Sequence, residues 1–447
     1  MKNWIRLILI LGVLMLTVAC LPNSSSENLK QGDTYRDQKQ WDGAIAEYGK
    51  AIERNPGLAA AYSSRGGVYC DKGQWDKALG DCNKAIELDP RYAQAYANRA
   101  RAYLGKLQFD KAIADASKAI ELNPKMAMAY TYSGQAYYGT GDLDKAIADC
   151  DKAISLDPSA TQAYFVRALC YHAKGQFSEA MSDYDKAIEL NPKMAMAYAN
   201  RGRTFQNMGQ FDKAIADCNK AIELDPRMPL AYYVRGLAHT GKGEFTEAIA
   251  DYGKAIELFP GYTEAYLVRG LAQGRLGQFD EAIADFSRVI ELNPKMAVAY
   301  TNRGSVYQAK GQLDKAINDF AKAIELEPKL ALPYANRGVA YRDKGMINEG
   351  IADLSKAIEL DPKMVLAYVN RGLAYQQSGD LEKALADYDK AIELYPKFAF
   401  AYYSRGKVYE ALKQVDMAVA DYKKCADVSS DSNLTQKAQE ELKRLGQ

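Results

Sequence analysis

Residues 297–330 read AVAYTNRGSVYQAKGQLDKAINDFAKAIELEPKL, and near-copies of this stretch follow one another along almost the whole 447-residue chain. Its Pro328 is one of eleven prolines, Pro56, Pro90, Pro124, Pro158, Pro192, Pro226, Pro260, Pro294, Pro328, Pro362 and Pro396, each 34 residues after the last. A domain with one compact core has no use for such a period. A row of stacked supersecondary units does, because each unit buries the apolar face that its neighbour leaves open.

With each proline at position 32, the first repeat starts at Ser25 and the twelfth at Ala399. Position 8 is always Gly or Ala (Gly66, Ala100, Gly134, Gly406), position 20 is Ala except at Gly350, and position 27 is Ala except at Val289 and Cys425. Small residues at 8 and 20 let two antiparallel helices approach closely, and tyrosines at position 4 (Tyr62, Tyr96, Tyr130) and usually 11 (Tyr69, Tyr103, Tyr137) fill the space between pairs. Gly73, Gly141, Gly175 and Gly243 fall where a first helix, A, should stop, and Asp76, Asp110 and Asp144 where a second, B, should start. Pro229 and Pro333 fall in the first turn of a helix A, where no intrahelical donor is lost.

The pattern Ala-Tyr-x-x-Arg-Gly-x-x-Tyr, then Gly-Gln-Phe-Asp-Lys-Ala-Ile-Ala-Asp, then Lys-Ala-Ile-Glu-Leu-x-Pro resembles the tetratricopeptide repeat family. The resemblance implies an all-α fold, a right-handed superhelical solenoid of about twelve 34-residue helix-turn-helix repeats over residues 25–432. Leu434, Ala438, Leu442 and Leu445 recur at helical spacing in residues 433–447, which read as a capping helix for the open end of the array; a partner-binding helix is the competing reading.

At the other end, Lys2 and Arg6 precede an apolar run from Leu7 to Ala19, fitting a signal peptide over residues 1–19 and short of the roughly 20 residues that span a bilayer. Ala19 before Cys20 resembles a bacterial lipobox, which would make Cys20 the lipidated first residue of an exported protein; Leu16 stands four rather than three residues before it, and an ordinary signal peptide is the other reading. Residues 20–24 would then be a tether too short to carry the first repeat more than about 20 Å from the lipid headgroups. By the same resemblance Leu21 favours the outer membrane where two membranes exist.

The chain has 58 basic and 57 acidic residues, without the excess of basic charge a nucleic-acid partner would want. Acids at position 23 followed by bases at position 26, such as Asp81 with Lys84, read as a solvated helix face. Cys70, Cys82, Cys150, Cys170, Cys218 and Cys425 read as small core residues, since those at equivalent positions lie whole helix layers apart. The only histidines are His172, expected exposed at position 12, and His239, expected to pack in place of a position-11 tyrosine. Neither has a partner at metal-ligand spacing, and no phosphate loop or nucleophile elbow occurs, so neither an enzyme, a metal site nor a cofactor is expected.

The family resemblance implies that positions 2, 5, 6, 9, 12 and 13 of helix A line a concave groove. Five repeats place asparagine at position 6 (Asn98, Asn200, Asn302, Asn336, Asn370), similar to the asparagines with which peptide-binding members hold a ligand backbone; a common consensus residue is the alternative. The lysine that opens a carboxylate clamp is missing at position 5 of these repeats. Three others carry apolar residues at positions 5 and 9: Phe165 with Leu169, Tyr233 with Leu237, and Leu267 with Leu271, expected to form an apolar wall for a partner; burial by superhelical curvature or self-association is the alternative. The expectation is a membrane-anchored adaptor that binds protein or peptide partners in the cell envelope, the runner-up being an accessory lipoprotein of polysaccharide export.

Overall fold

A computed structural model describes residues 24–447, so Cys20 and the segment before it lie outside the described residues. The described chain forms 25 α-helices and no strand. It divides into two compact units, up to Pro226 and from Arg227 on. The first holds six helical hairpins, from Ser24–Asp37 with Trp41–Arg54 to Ala195–Asn207 with Phe211–Leu224. The second holds six more, from Pro229–Lys242 with Phe245–Leu258 to Ala399–Ala411 with Val415–Val428, and a last helix, Ser432–Arg444. Within each unit helix B packs on its own helix A and on helix A of the next repeat, which makes an all-α solenoid of helical repeats.

Local chemistry sets the joints. Helix A ends on a left-handed residue, usually glycine, as at Gly141 (φ +85°) and Gly379 (φ +85°). Lys39, Leu107 and Lys413 hold the same conformation without a glycine. Helix B ends one residue before an extended one, such as Asn293 (φ −140°, ψ 86°), because the proline that follows excludes helical backbone there.

The small position-8 residue is where the two helices of a hairpin meet. A Cβ on Gly66 would stand 2.8 Å from Cys82 Sγ, and one on Gly406 would stand 2.8 Å from Tyr422 Cε1. The six cysteines after Cys20 are buried in this packing. Burial pushes the Cys70 thiol up to about 11 and the Cys170 thiol up to about 12, so these two remain neutral.

Ser432–Arg444 covers the twelfth repeat. Leu434, Ala438, Leu442 and Leu445 pack on Tyr402, Tyr422 and Cys425. Asp431 caps the helix by accepting from the Asn433 and Leu434 amides, and Lys407 binds Glu441 at 3.0 Å.

Candidate partner-binding surface

Position 5 does not line an open face. Phe165 is only 6% exposed, packed among Ala168, Ala180, Tyr184, Ala187 and Ala197, with its ring 6.1 Å from that of Tyr184. Tyr233 lies against Ala255 and Ala265 with its ring 4.9 Å from Tyr262, and Leu267 packs on Ala282 and Phe286. The cause is helical geometry: position 5 precedes position 8 by three residues, so both face helix B of the same hairpin. Leu169 packs at the edge of the Phe165 cluster and Leu237 is partly buried, while Leu271 is 45% exposed. Of the expected wall, Phe165 is therefore core, Leu271 is exposed and the other four are partly buried.

The asparagines divide. Asn98 and Asn200 are buried, Asn98 donating to the Ser63 carbonyl of the preceding repeat at 2.9 Å and Asn200 to the Met196 carbonyl at 2.9 Å. Asn336 donates to Ser305 Oγ at 3.2 Å; Asn370 donates to the Leu366 carbonyl and accepts from Arg342. These amides already serve the chain itself. Asn302 instead faces Leu271 across a cleft of about 300 Å³ between the eighth and ninth repeats, where the structure brings an expected asparagine and an expected apolar residue together.

Positions 2, 6 and 9 share a helix face, and its position-2 members form a row that the sequence reading left unnamed. Val298, Leu332, Leu366 and Phe400 occupy position 2 of four successive repeats and are 44%, 53%, 59% and 39% exposed. Met128 and Met196 stand at the same position in the first unit, and Gln94 Nε2 lies 3.3 Å from Met128 Sδ, so the position-2 side chains of the third and fourth repeats touch. The signal was available as an apolar residue recurring every 34 positions. Phe400 ends the row at a cleft of about 480 Å³ whose other wall includes Asp431, Leu434 and Lys437.

His172 is not exposed. Its Nδ1 lies 2.8 Å from Thr204 Oγ1 on helix A of the next repeat and its ring 5.6 Å from that of Phe177 at the start of its own helix B, so it sits where the two repeats meet. Burial, helped by the Arg203 charge, pushes its pKa down to about 4 from the ordinary value near 6.5. The unfolded chain therefore binds a proton between pH 6.5 and about 4 that the folded chain refuses. Stability from the neutral ring is complete above pH 6.5 and is lost as pH falls through that window. Melting of wild type against His172→Gln from pH 7.5 to 4 should show the variant losing less; parallel curves would place the proton elsewhere.

His239 is partly buried with Nδ1 2.7 Å from Glu244 Oε2. Among the described residues no three His, Cys, Asp or Glu side chains converge as a metal site.

Comparison with known proteins agrees with the repeat register. A tetratricopeptide repeat model matches residues 161–194, 195–228, 229–262, 263–296, 297–330 and 365–398, each window starting at position 1 of a repeat. Related tetratricopeptide models match residues 98–161, 32–69, 66–106, 340–379 and 387–420. No curated protein matches the sequence. Among solved structures, the APC/C hetero-tetramer Cut9–Hcn1 is similar over 96% of this chain and 98% of that one, at 15% identity and a TM-score of 0.51, a likeness of fold alone. Yeast Tom70 is similar over 94% of this chain and 95% of its own, at 19% identity and TM-score 0.44. YrrB, a TPR protein with an unusual peptide-binding site, is similar over 41% of this chain and 95% of its own, at 30% identity and TM-score 0.38. Period, hairpin packing and matched windows together place this chain in the tetratricopeptide repeat family, whose arrays serve as scaffolds for protein–protein interaction.

Proposed function

We propose that this protein is a membrane-anchored scaffold of a bacterial cell envelope, gathering protein or peptide partners on the position-2 face of its helix A ladder. The observation that carries the reading is the row Val298, Leu332, Leu366 and Phe400, four exposed apolar side chains on consecutive repeats. A row of this kind is what a partner's apolar side chains would cover, since soluble surfaces rarely leave large apolar patches open. Leu271 and Asn302 add a cleft with one amide able both to donate and to accept.

The test is a pull-down from detergent-solubilised membranes, followed by binding of the recovered partner to Leu332→Ser/Leu366→Ser. Affinity should fall at least tenfold, since apolar anchors at the centre of an interface commonly contribute about 1 kcal/mol or more each. Melting should barely change, because exposed substitutions usually stay within about 0.5 kcal/mol. Unchanged affinity would remove the row from the binding site.

The anchor rests on the sequence: Lys2 and Arg6, the short apolar run, and Ala19 before Cys20. Two or more acyl chains on Cys20 would hold the protein stably where one would not. Labelled fatty acid should enter the wild type and not Cys20→Ala. A wild type that takes up no label would leave a plain signal peptide.

A further inference from the structure

Ten of the twelve repeats contain the same internal ion pair, from position 7 of helix A to position 23 of helix B. In each the guanidinium forks onto both carboxylate oxygens, as in Arg99 with Asp115 (2.6 and 2.7 Å) and Arg269 with Asp285 (2.7 and 2.7 Å). The position-4 tyrosine lies beneath it, 5.5 Å from Arg99 at Tyr96 and 5.6 Å from Arg269 at Tyr266. The position-11 ring often closes the other side, as Tyr171 does over Arg167. A further N–H commonly reaches position 25 of the preceding repeat: Arg99 to Asn83, Arg303 to Ser287, Arg371 to Ser355.

Two repeats depart. The first has Gln31 and Glu47 at these positions, and Glu47 is bonded instead by Asn28 and Lys50. The fourth keeps every part of the setting and lacks only the arginine, which is replaced by Ser133. Asp149 remains at position 23, Tyr130 and Tyr137 at positions 4 and 11, and Ser117 at position 25 of the third repeat. Between them lies a cleft of about 290 Å³. Asp149 is half-buried with only the Ser133 hydroxyl as a partner, and burial raises its pKa.

Lys145 also borders the cleft without filling it. Its ammonium binds Asp142 at 2.8 Å and lies 5.3 Å from the Tyr137 ring centre. Lysines at that position do the same in repeats whose arginine is present: Lys315 over Tyr307 beside Arg303, and Lys383 over Tyr375 beside Arg371. The lysine and a guanidinium are therefore compatible neighbours.

We propose that the fourth repeat carries an open arginine socket, which binds the guanidinium group of an arginine from outside this chain between Tyr130, Tyr137 and Asp149. The site offers what a guanidinium recognises, a carboxylate for bidentate pairing, an aromatic face on either side and a hydroxyl acceptor in Ser117. It is preorganised, because the same backbone holds the carboxylate and the position-4 tyrosine around an intramolecular arginine in ten other repeats. The socket belongs to the first unit and shares no residue with the position-2 row of the second, so it stands or falls separately from the scaffold reading.

The probe is Nα-acetyl-arginine methylamide, titrated calorimetrically into the full chain, with the citrulline analogue as its neutral isostere. Wild type should bind one equivalent, and the citrulline analogue should bind at least tenfold more weakly. Asp149→Asn should weaken the arginine probe at least tenfold, and Ser133→Arg should abolish binding while raising the melting temperature. Equal binding of citrulline, or binding that persists in Ser133→Arg, would overturn the socket, as would absence of saturable binding to wild type. Free arginine is the second arm: comparable affinity fits a chain-borne residue, whereas a tenfold preference for the free amino acid would assign the site to a small metabolite and overturn the protein-borne source.

Discussion

Replacing Arg303 by alanine is expected to lower stability by about 2–3 kcal/mol, far more than its place in a largely polar helix stretch suggests. Arg303 binds both oxygens of Asp319 at 2.8 Å, donates to Ser287 of the preceding repeat at 2.9 Å and lies 5.8 Å over Tyr300. Asp319 is 7% exposed, so the variant leaves a buried carboxylate without its cation. Breaking a fully buried pair costs about 3–5 kcal/mol, and the loss here is smaller because part of the arginine stays in contact with water. Lys310→Ala is the control, since its partner Asp280 is exposed and such a pair is worth under about 1 kcal/mol. Urea melts of the two variants decide it: equal losses would mean the Arg303–Asp319 pair is no more than a surface contact.

That pair marks the limit of what the sequence discloses. The 34-residue period, the small residues at positions 8 and 20 and the turn glycines specify the hairpins, because each acts within one helix or between two adjacent in sequence. Position 23 was read as solvated, yet Asp81, Asp115 and Asp217 are buried against Arg65, Arg99 and Arg201. Charge and local spacing cannot reveal this, because the partner lies sixteen residues away on the other helix and the covering surface comes from the neighbouring repeat. The repeats did hold a clue: Arg at position 7 and Asp at position 23 occur together in ten of them, and the first repeat has neither.

The position-5 residues were misplaced for a related reason. A helix face is legible from periodicity, but which neighbour covers it depends on how repeats stack, so Phe165 at position 5 turned out to be core while the apolar residues of position 2 stayed open. Asn98 shows the same effect: its amide could hold a ligand backbone, and stacking gives it the carbonyl of Ser63 instead.

Gly372→Leu in the eleventh repeat should cost about 3 kcal/mol, near the upper end for overpacking a well-filled core. A Cβ at Gly372 would already stand 2.8 Å from Tyr388 Cε1, and Tyr388 is fully buried between its own helix pair and Ala401 of the next repeat. Leucine adds three carbons beyond that Cβ, so relief requires the two helices of the hairpin, Val365–Ser378 and Leu381–Leu394, to part. Gly372→Ala separates the backbone effect from the crowding. Alanine gains roughly 1 kcal/mol of helix propensity, which offsets a contact that a small tilt of the tyrosine relieves, as in the fifth repeat where Ala168 stands opposite Tyr184. Thermal melts should thus place alanine near wild type and leucine well below it, with faster amide exchange in the two helices flanking the site. A leucine variant as stable as the alanine variant would show that the hairpin has slack at position 8, and that the glycine there serves the helix approach less tightly than its contacts imply.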